Sequence, residues 1–552
     1  MIKMLSDDIL LNIFRHSLDS TARFWPTLAC VCQRWRQIIF TSPLGLNLRL
    51  YCTYGTPVFK TLDCWPAFPI IVQYGGFPNL DPPAPEDDDN IIAALKQSGR
   101  VSSIGLTVTS LLLEKLSAIS EPFSELEEID LLSQDNMQLT LPSTFRWGPH
   151  LRTLHSTRIS FPSFPQLLPP CQDLVDLQLH EIPITGYFSP DAFANALSGM
   201  SQLETLSLHF ISLPPRRNYL SLPPPSWERV VLPALRCLKY RGTSKYMDSL
   251  VARIDAPRLG DIDITFFSQP TMDASQLGRF IERIEMQTSL SRADVLTSAH
   301  AISISFSNSS TSTPLRLQIS CKQLDWQLSC MAQVCDQFSP FLFRVNNLGI
   351  NTTQSSSGQD DVDGEQWPEL IRAFSGTRDF RVTGELITEI LCALGPAGGG
   401  HTTDSTILHA LRRLRIENPM AVDEPWWDAA QLYITSRRLS GRPVELQALC
   451  HICNTSFTQQ QEFKRHLVDK HAYRIVCSYC GGFECRPERN RLFRGHLTSK
   501  HPEVARNDAL ISDPSLIPFL PFELDRLVNA HGSLRAPDIV APSITVTASH
   551  SQ

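Results

Sequence analysis

Hydrophobic and polar positions follow two rhythms along this chain, and the change between them divides it into regions. In residues 5–40, Ile9, Ile13, Phe14 and Leu18 recur at helical spacing. Ser6 stands where a helix cap is wanted, and Asp7 and Asp8 suit the positive end of the helix dipole. Pro26 fits the first turn of a second helix, in which Leu28, Val31, Cys32, Trp35 and Ile39 line one side. The pattern predicts a compact helical unit, and periodicity alone reads it as a helical hairpin packed on a larger body.

From Leu126 a pattern of three apolar slots takes over: Leu126-Ile129-Leu131, Leu151-Leu154-Ser156, Leu174-Leu177-Leu179, Leu203-Leu206-Leu208, Leu235-Leu238-Tyr240 and Leu259-Ile262-Ile264. The second copy ends on a polar serine. Successive copies start 25, 23, 29, 32 and 24 residues apart, which makes accident the weaker explanation. A strand alternates its faces, so the last two slots of each copy point the same way while the first closes the preceding turn. One unit cannot bury such a face alone, whereas stacked neighbours bury a continuous one. The widest gap carries SLPPRRNYLSLPPPSWERVVLP, read as an insertion on one face. A late copy stands at Leu411-Leu414-Ile416, EDDDN at 86–90 reads as a solvated loop, and within 355–405 the stretches SSSGQDDVDGEQ and GPAGGGH are loop-like with no clear repeat between them.

Composition sharpens this picture. A length of 552 residues exceeds what one core organises, so two to four domains or an elongated repeat array are expected. Hydrophobic residues at 42% against 19% charged residues supply enough apolar material for a large folded body. A net charge of −7 gives no global attraction to nucleic acid or to an anionic membrane, so such binding would need a local patch. Fifteen scattered cysteines, and an acidic pair where a signal peptide wants an apolar run, point to a reducing compartment, the nucleus or cytoplasm. No stretch approaches the roughly 18 apolar residues of a membrane span, and no membrane partner is expected.

Leu5, Asp8, Ile9, Leu10, Ile13, Phe14, Cys32, Trp35 and Arg36 resemble an F-box, with Ser6 where that family usually has proline. The three-slot pattern resembles a leucine-rich repeat array. Gln134, Ile159, Ile182, Ile211, Thr243 and Phe267 occupy the place of its turn asparagine, so the resemblance implies an irregular solenoid. The order of an F-box-like start, WPAFPIIV and VARIDAPRLGDIDITFF is similar to the large fungal families of F-box-like proteins with leucine-rich bodies, as far as about residue 447. The expected class is α/β, with an F-box-like helical domain at 1–45, a proline- and aromatic-rich connecting segment at 46–100, a leucine-rich repeat-like domain at 101–447, tandem fingers at 448–505 and a tail at 506–552. The resemblance implies a docking surface of Leu5, Ile9, Ile13, Phe14 and Trp35 for the Skp-type adaptor of a cullin ubiquitin ligase, while the repeats present a face to a protein client.

Near the C-terminal end the chemistry changes again. Cys450 and Cys453 leave two residues between them, twelve follow to His466, and four separate His466 from His471. Zinc takes four soft or borderline ligands in a tetrahedron, which a tight cysteine turn facing two histidines of one helix supplies. Phe457 and Phe463 fall where the two-cysteine, two-histidine zinc-finger family, which this stretch resembles, keeps its small ββα core. Cys477, Cys480, His496 and His501 repeat the outer spacing with fifteen residues in the middle, and Cys485 offers a third thiolate that can compete with one histidine. Metal in such modules supplies folding free energy.

Residues 450–501 carry nine basic against four acidic side chains, a patch that can meet phosphates. In the family's docking mode, Gln459, Glu462 and Arg465 of the first finger and Arg489, with Arg491 nearby, of the second would face nucleic acid. Leu492 and Gly495 offer no side-chain hydrogen bond there, and the linker AYRIV is unlike the family's usual linker. GPAGGGHT at 395–402 has phosphate-loop glycine spacing, but His401 replaces the lysine and the preceding LITEILCAL reads as a helix. The combined expectation is a non-enzymatic adaptor with structural zinc. The alternative is a zinc-dependent nucleic-acid binder whose repeats organise protein partners.

Overall fold

The computed structural model describes most of residues 5–450, short stretches of 453–502, and 532–535; residues 75–84, 213–228, 353–365, 396–406 and 418–425 lie outside the described residues. The chain divides into two units, Met1–Arg378 with Thr402–Ala410, and Asp379–His401 with Leu411–Gln552. Both mix helices with a mostly parallel sheet.

The first unit opens with α1 (Asp7–Ser20), α2 (Trp25–Val31) and α3 (Gln33–Thr41). Ser6 caps α1, its hydroxyl accepting from the Ile9 amide at 3.4 Å. The single second helix expected from periodicity is split at Cys32, whose extended backbone ends α2 and whose sulfur accepts from the Trp35 amide at 3.5 Å to cap α3. That break turns Val31 out to solvent instead of into a shared face. Leu10 and Phe14 are buried, and the Phe14 ring meets Trp35 edge-on at 4.8 Å. Arg34 ties α3 to α1 through Asp7 at 2.7 Å. Trp65 and Phe68 of the aromatic-rich segment pack edge-on against Trp25 at 4.9 and 5.4 Å, and the Trp25 indole donates to the Arg49 carbonyl at 2.7 Å.

A parallel ladder follows: β1 (Leu50–Cys52), β2 (Ile70–Tyr74), β3 (Val101–Val108), β4 (Glu128–Ser133), β5 (Thr153–Thr157), β6 (Asp176–Ile182), β7 (Thr205–Phe210), β8 (Cys237–Gly242) and β9 (Asp261–Phe267). Each pairs with the next in parallel. The register sets the predicted middle slots side by side, Ile129, Leu154, Leu177, Leu206, Leu238 and Ile262, and the last slots likewise, Leu131, Ser156, Leu179, Leu208, Tyr240 and Ile264. All are buried. The first slots close the turns as expected: the amides of Leu174, Leu203, Leu235 and Leu259 bond back three residues at 3.2–3.3 Å. The next amide of each coil reaches the preceding coil, as from Val175 to the Arg152 carbonyl and from Arg236 to the Glu204 carbonyl, both at 2.8 Å. Burying each such leucine stabilises by about 1.5–3 kcal/mol, shared between neighbours.

The ladder begins at Leu50 rather than at residue 101. Ile70–Tyr74 alternates buried and half-buried positions without any leucine slot, so its strand character is carried by period alone. EDDDN is not a loop but lies in the first turns of the helix Pro85–Leu95, where Asp88 and Asp89 hold Lys115 at 3.3 and 3.2 Å. Where a turn asparagine would stand, Ile159 and Ile182 are buried, while Thr243 caps the helix Ser244–Val251 by accepting from the Tyr246 amide at 3.3 Å.

Beyond β9 the order doubles back. The strands β10 (Arg292–Ser298), β11 (Ala301–Ser307), β12 (Leu315–Ser320) and β13 (Asn347–Thr352) lie in the spatial order β9, β12, β11, β10, β13, and β11 runs antiparallel to both its neighbours. The helices Ser275–Arg283 and Leu324–Gln337 cover this stretch. The Gln337 amide donates to the Met272 carbonyl at 2.7 Å and accepts from the Ala274 amide at 2.6 Å. A side chain at Gly278 would meet the Gln337 carbonyl at 3.0 Å, so glycine permits the close approach.

In the second unit β14 (Asp379–Gly384), β15 (Arg413–Glu417) and β16 (Glu445–Leu449) are parallel, and β17 (Ser456–Phe457) returns antiparallel to β16. The late copy is real as a strand, with Leu411, Leu414 and Ile416 buried. LITEILCAL contains the helix Ile387–Leu394, and His401 lies outside the described residues. Further on, Arg474–Cys477 pairs antiparallel with both Glu484–Cys485 and Gly532–Arg535, the latter within the segment expected to be a tail.

Candidate functional site

The cysteine and histidine cluster is built onto the edge of a sheet. In β16, Ala448 and Leu449 pair with Phe457 and Ser456 of β17, while the other edge of β16 pairs with β15. The hairpin strand therefore belongs to both structures, and the boundary expected at residue 448 falls inside it. The Cys450 amide donates to the Thr455 carbonyl at 3.0 Å and closes the turn that carries Cys453. The helix Gln460–His466 then brings His466 back over the turn.

Cys450, Cys453 and His466 form a group whose ligand atoms all lie within 4.8 Å of one another, an arrangement that can hold a metal ion. Cys450 is fully buried and Cys453 exposed, with the Cys453 sulfur 3.1 Å from His466 Nε2 and 3.0 Å from the Thr455 hydroxyl. Burial pushes the Cys453 thiol up, but the hydrogen bonds from Thr455 and Cys450 outweigh it, so the thiol lies below its ordinary range. Two thiols and an imidazole are the soft and borderline donors that suit a transition ion. The Phe463 side chain is buried under the cluster, 5.5 Å from Phe457 and 6.5 Å from Trp426 between ring centres. His471, expected as the fourth ligand, lies outside the described residues.

Of the second expected site, Cys477 ends the strand Arg474–Cys477, Cys485 sits in its partner strand opposite Ile475, and His496 is helical. Cys480 and His501 lie outside the described residues. Gln459, Glu462 and Arg465 are exposed beside the first cluster, while Arg489 and Arg491 lie outside the described residues.

At the other end of the chain, α1 presents Ile9 and Ile13 to solvent at 48% and 45% exposure. Leu5 and Trp35 are half-buried, and Phe14 turns inward on Trp35, so a partner meeting α1 would touch the two isoleucines rather than the phenylalanine.

The open face of the ladder holds a polar cluster that reading along the sequence did not find. His155 Nε2 lies 2.9 Å from Asp176, which also accepts from Gln178. His180 and His209 stack at 4.4 Å with rings 9° apart, and both approach the buried Ser207 hydroxyl, at 3.0 and 3.4 Å. Burial, its neighbour His180, Arg241 and Lys239 pull the His209 imidazole down to about 4; burial, chiefly, pulls His180 down too. The signal that would have found the cluster is register. His180, His209 and Arg241 each follow the last slot of their copies, so aligning copies by slot sets them in one column.

No protein-family model matches the chain, and no curated protein is significantly similar to it. Among the described residues, no helix is long and apolar enough to cross a membrane.

Proposed function

We propose that this protein is a non-enzymatic adaptor: α1–α3 form an F-box-like docking unit for the Skp-type subunit of a cullin ubiquitin ligase, the ladder is a leucine-rich repeat-type solenoid that receives a protein client, and the C-terminal cysteines and histidines bind zinc. The observation that carries the reading is the exposure of Ile9 and Ile13 above a helical core already filled by Leu10, Phe14, Trp25, Ala29 and Ile39. Two isoleucines one turn apart leave about half of their surface in solvent, an adjacent apolar pair that a partner protein can cover. The exposed Asp7–Arg34 pair links α1 to α3 beside this surface.

Zinc fits the donor set of Cys450, Cys453 and His466, with His471 as the fourth ligand, and its role is structural. Such a protein works in the cytoplasm or nucleus. Titration calorimetry of the full chain with a Skp-type adaptor tests the docking. We expect binding that is lost in I9D/I13D while the melting temperature stays unchanged; a wild-type chain that does not bind ends the ligase reading.

A second reading, nucleic-acid binding, draws support from Gln459, Glu462 and Arg465, which are exposed on the helix next to the cysteine turn. Two modules would cover about six base pairs, and Glu462 would repel phosphate. Binding to mixed duplexes across a salt series separates the readings: a steep loss of affinity with salt favours the second, and no binding at low salt rejects it.

A further inference from the structure

The cluster on the open face of the ladder sits where three neighbouring strands converge. Parallel register places His209 beside Arg241 and Ser207 beside Lys239, and the stacking puts His180 on His209. Strands lie about 4.8 Å apart, so these side chains share a patch roughly 10 Å across. The backbone is shaped for this. Glu181 holds a left-handed φ of 52° at the bulge that shifts register between Leu179 and Ile182, and Arg158, at φ 63°, forms an ion pair with Glu181 and bonds the His180 carbonyl at 3.0 Å. Non-glycine residues in this region are strained and persist where surrounding structure holds them, often at functional sites.

Ser207 is buried to 1% and cannot serve as a nucleophile. Its single hydroxyl proton can go to one imidazole while the oxygen accepts from the other, so it positions both rings. The nearby carboxylates are largely engaged elsewhere: Asp176 with His155 and Gln178, Glu181 with Arg158. Among the described residues neither Lys239 nor Arg241 forms an ion pair, and both are exposed. Asp263 flanks Lys239 on the far side. The result is a local concentration of N–H donors and positive charge on a chain whose net charge is negative.

We propose that this patch docks an extended peptide through a phosphorylated serine or threonine, with Arg241 and Lys239 neutralising the phosphate and one of the two imidazoles, the ring whose Nε2 accepts the Ser207 proton, donating from Nδ1 to an oxygen. A tetrahedral dianion offers enough acceptors for these three side chains. An extended peptide, rather than a small phosphate, is indicated by the same row of the ladder. Arg241 is in register with His209, which stacks on His180; His180 is in register with Thr157, and Thr157 with the exposed Leu132. A charged anchor and an apolar contact thus lie on one line across the strands, roughly 10 Å apart from His180 to Leu132. The site needs neither a ligase partner nor zinc, so its failure is separable from that of the adaptor reading.

The test uses the full chain, immobilised, and two degenerate nine-residue peptide pools that differ only in a central phosphoserine or serine, with retained peptide measured by mass spectrometry. At least tenfold greater retention of the phosphorylated pool is expected, falling to the serine level in R241E, and falling less in L132E. Circular dichroism checks that the variants, both at exposed positions, remain folded. Equal retention of the two pools, unchanged retention in R241E, or displacement by inorganic phosphate at concentrations equimolar with the peptide would each overturn the proposal; the last would reveal a small-anion site.

Discussion

The ladder between Val101 and Phe267 and the small hairpin-and-helix structure around Cys450 solve the same problem by different means. In the ladder each coil from Leu126 on, apart from the one that ends on Ser156, sets two apolar side chains against the same positions of its neighbours, so burial is a property of the stack. Ile129, Leu154, Leu177, Leu206 and Leu238 form one continuous apolar row. Around Cys450 the apolar material is little more than Phe457, Phe463 and Trp426, beside two thiols and an imidazole that converge. A structure this small needs a staple, and the two thiols and the imidazole are placed so that a metal ion held by them could supply one. The comparison teaches that the first region stands on repetition and the second on a few converging side chains.

Breaking the second region should give the largest effect. In C450S/C453S we expect amides of 450–466 to exchange at unfolded rates, a loss on the order of 10 kcal/mol of metal-linked folding free energy, while amides of β4–β8 keep their protection. Hydrogen exchange read by mass spectrometry measures both regions at once. In the first region, L206A should cost about 2–5 kcal/mol in urea unfolding, because it opens a cavity between Leu177 and Leu238. A chelator should leave that cost unchanged.

A subtler probe is pH. His209 is held at about 4, below its unfolded value, so the unfolded chain binds more protons in between. Its contribution to stability is therefore present above roughly pH 6.5 and lost as pH falls towards 4. Asp248, pushed up to about 6 by burial, acts in the opposite sense, so the informative quantity is wild type minus H209Q at each pH. That difference should shrink or reverse on acidification, as measured by urea unfolding in a pH series. The smallest effect is expected at Ser156, whose buried hydroxyl has no hydrogen-bond partner among the described residues. S156A should be neutral or stabilise by about 1 kcal/mol, and a clear destabilisation would mean that the serine has a partner after all.

Inward-facing positions were legible in the sequence because burial and period leave a one-dimensional trace. The slots from Leu126 to Ile264 predicted strands, their faces and the turns that precede them. What stayed hidden depends on neighbours distant in sequence. β12 pairs with β9 rather than with the strand that follows in order, and alternation alone cannot say which partner a strand chooses. β2 carries period without leucines, Cys32 breaks a helix through backbone extension that helical spacing does not reveal, and EDDDN is helical because Ile91, Ala94 and Leu95 bury behind it. The convergence of Cys450, Cys453 and His466 was readable from spacing, as metal ligation constrains ligand separation, but not the sharing of β16 with the sheet. His180 and His209 stand 29 residues apart and meet only because the coils stack.

The most direct measurement is the metal content of the purified full chain by inductively coupled plasma mass spectrometry, together with hydrogen exchange over 445–466. The account predicts at least one equivalent of zinc per chain, absent from the C450S/C453S variant, with protection at the hairpin lost along with it. A chain that carries no metal yet keeps that hairpin protected would contradict it.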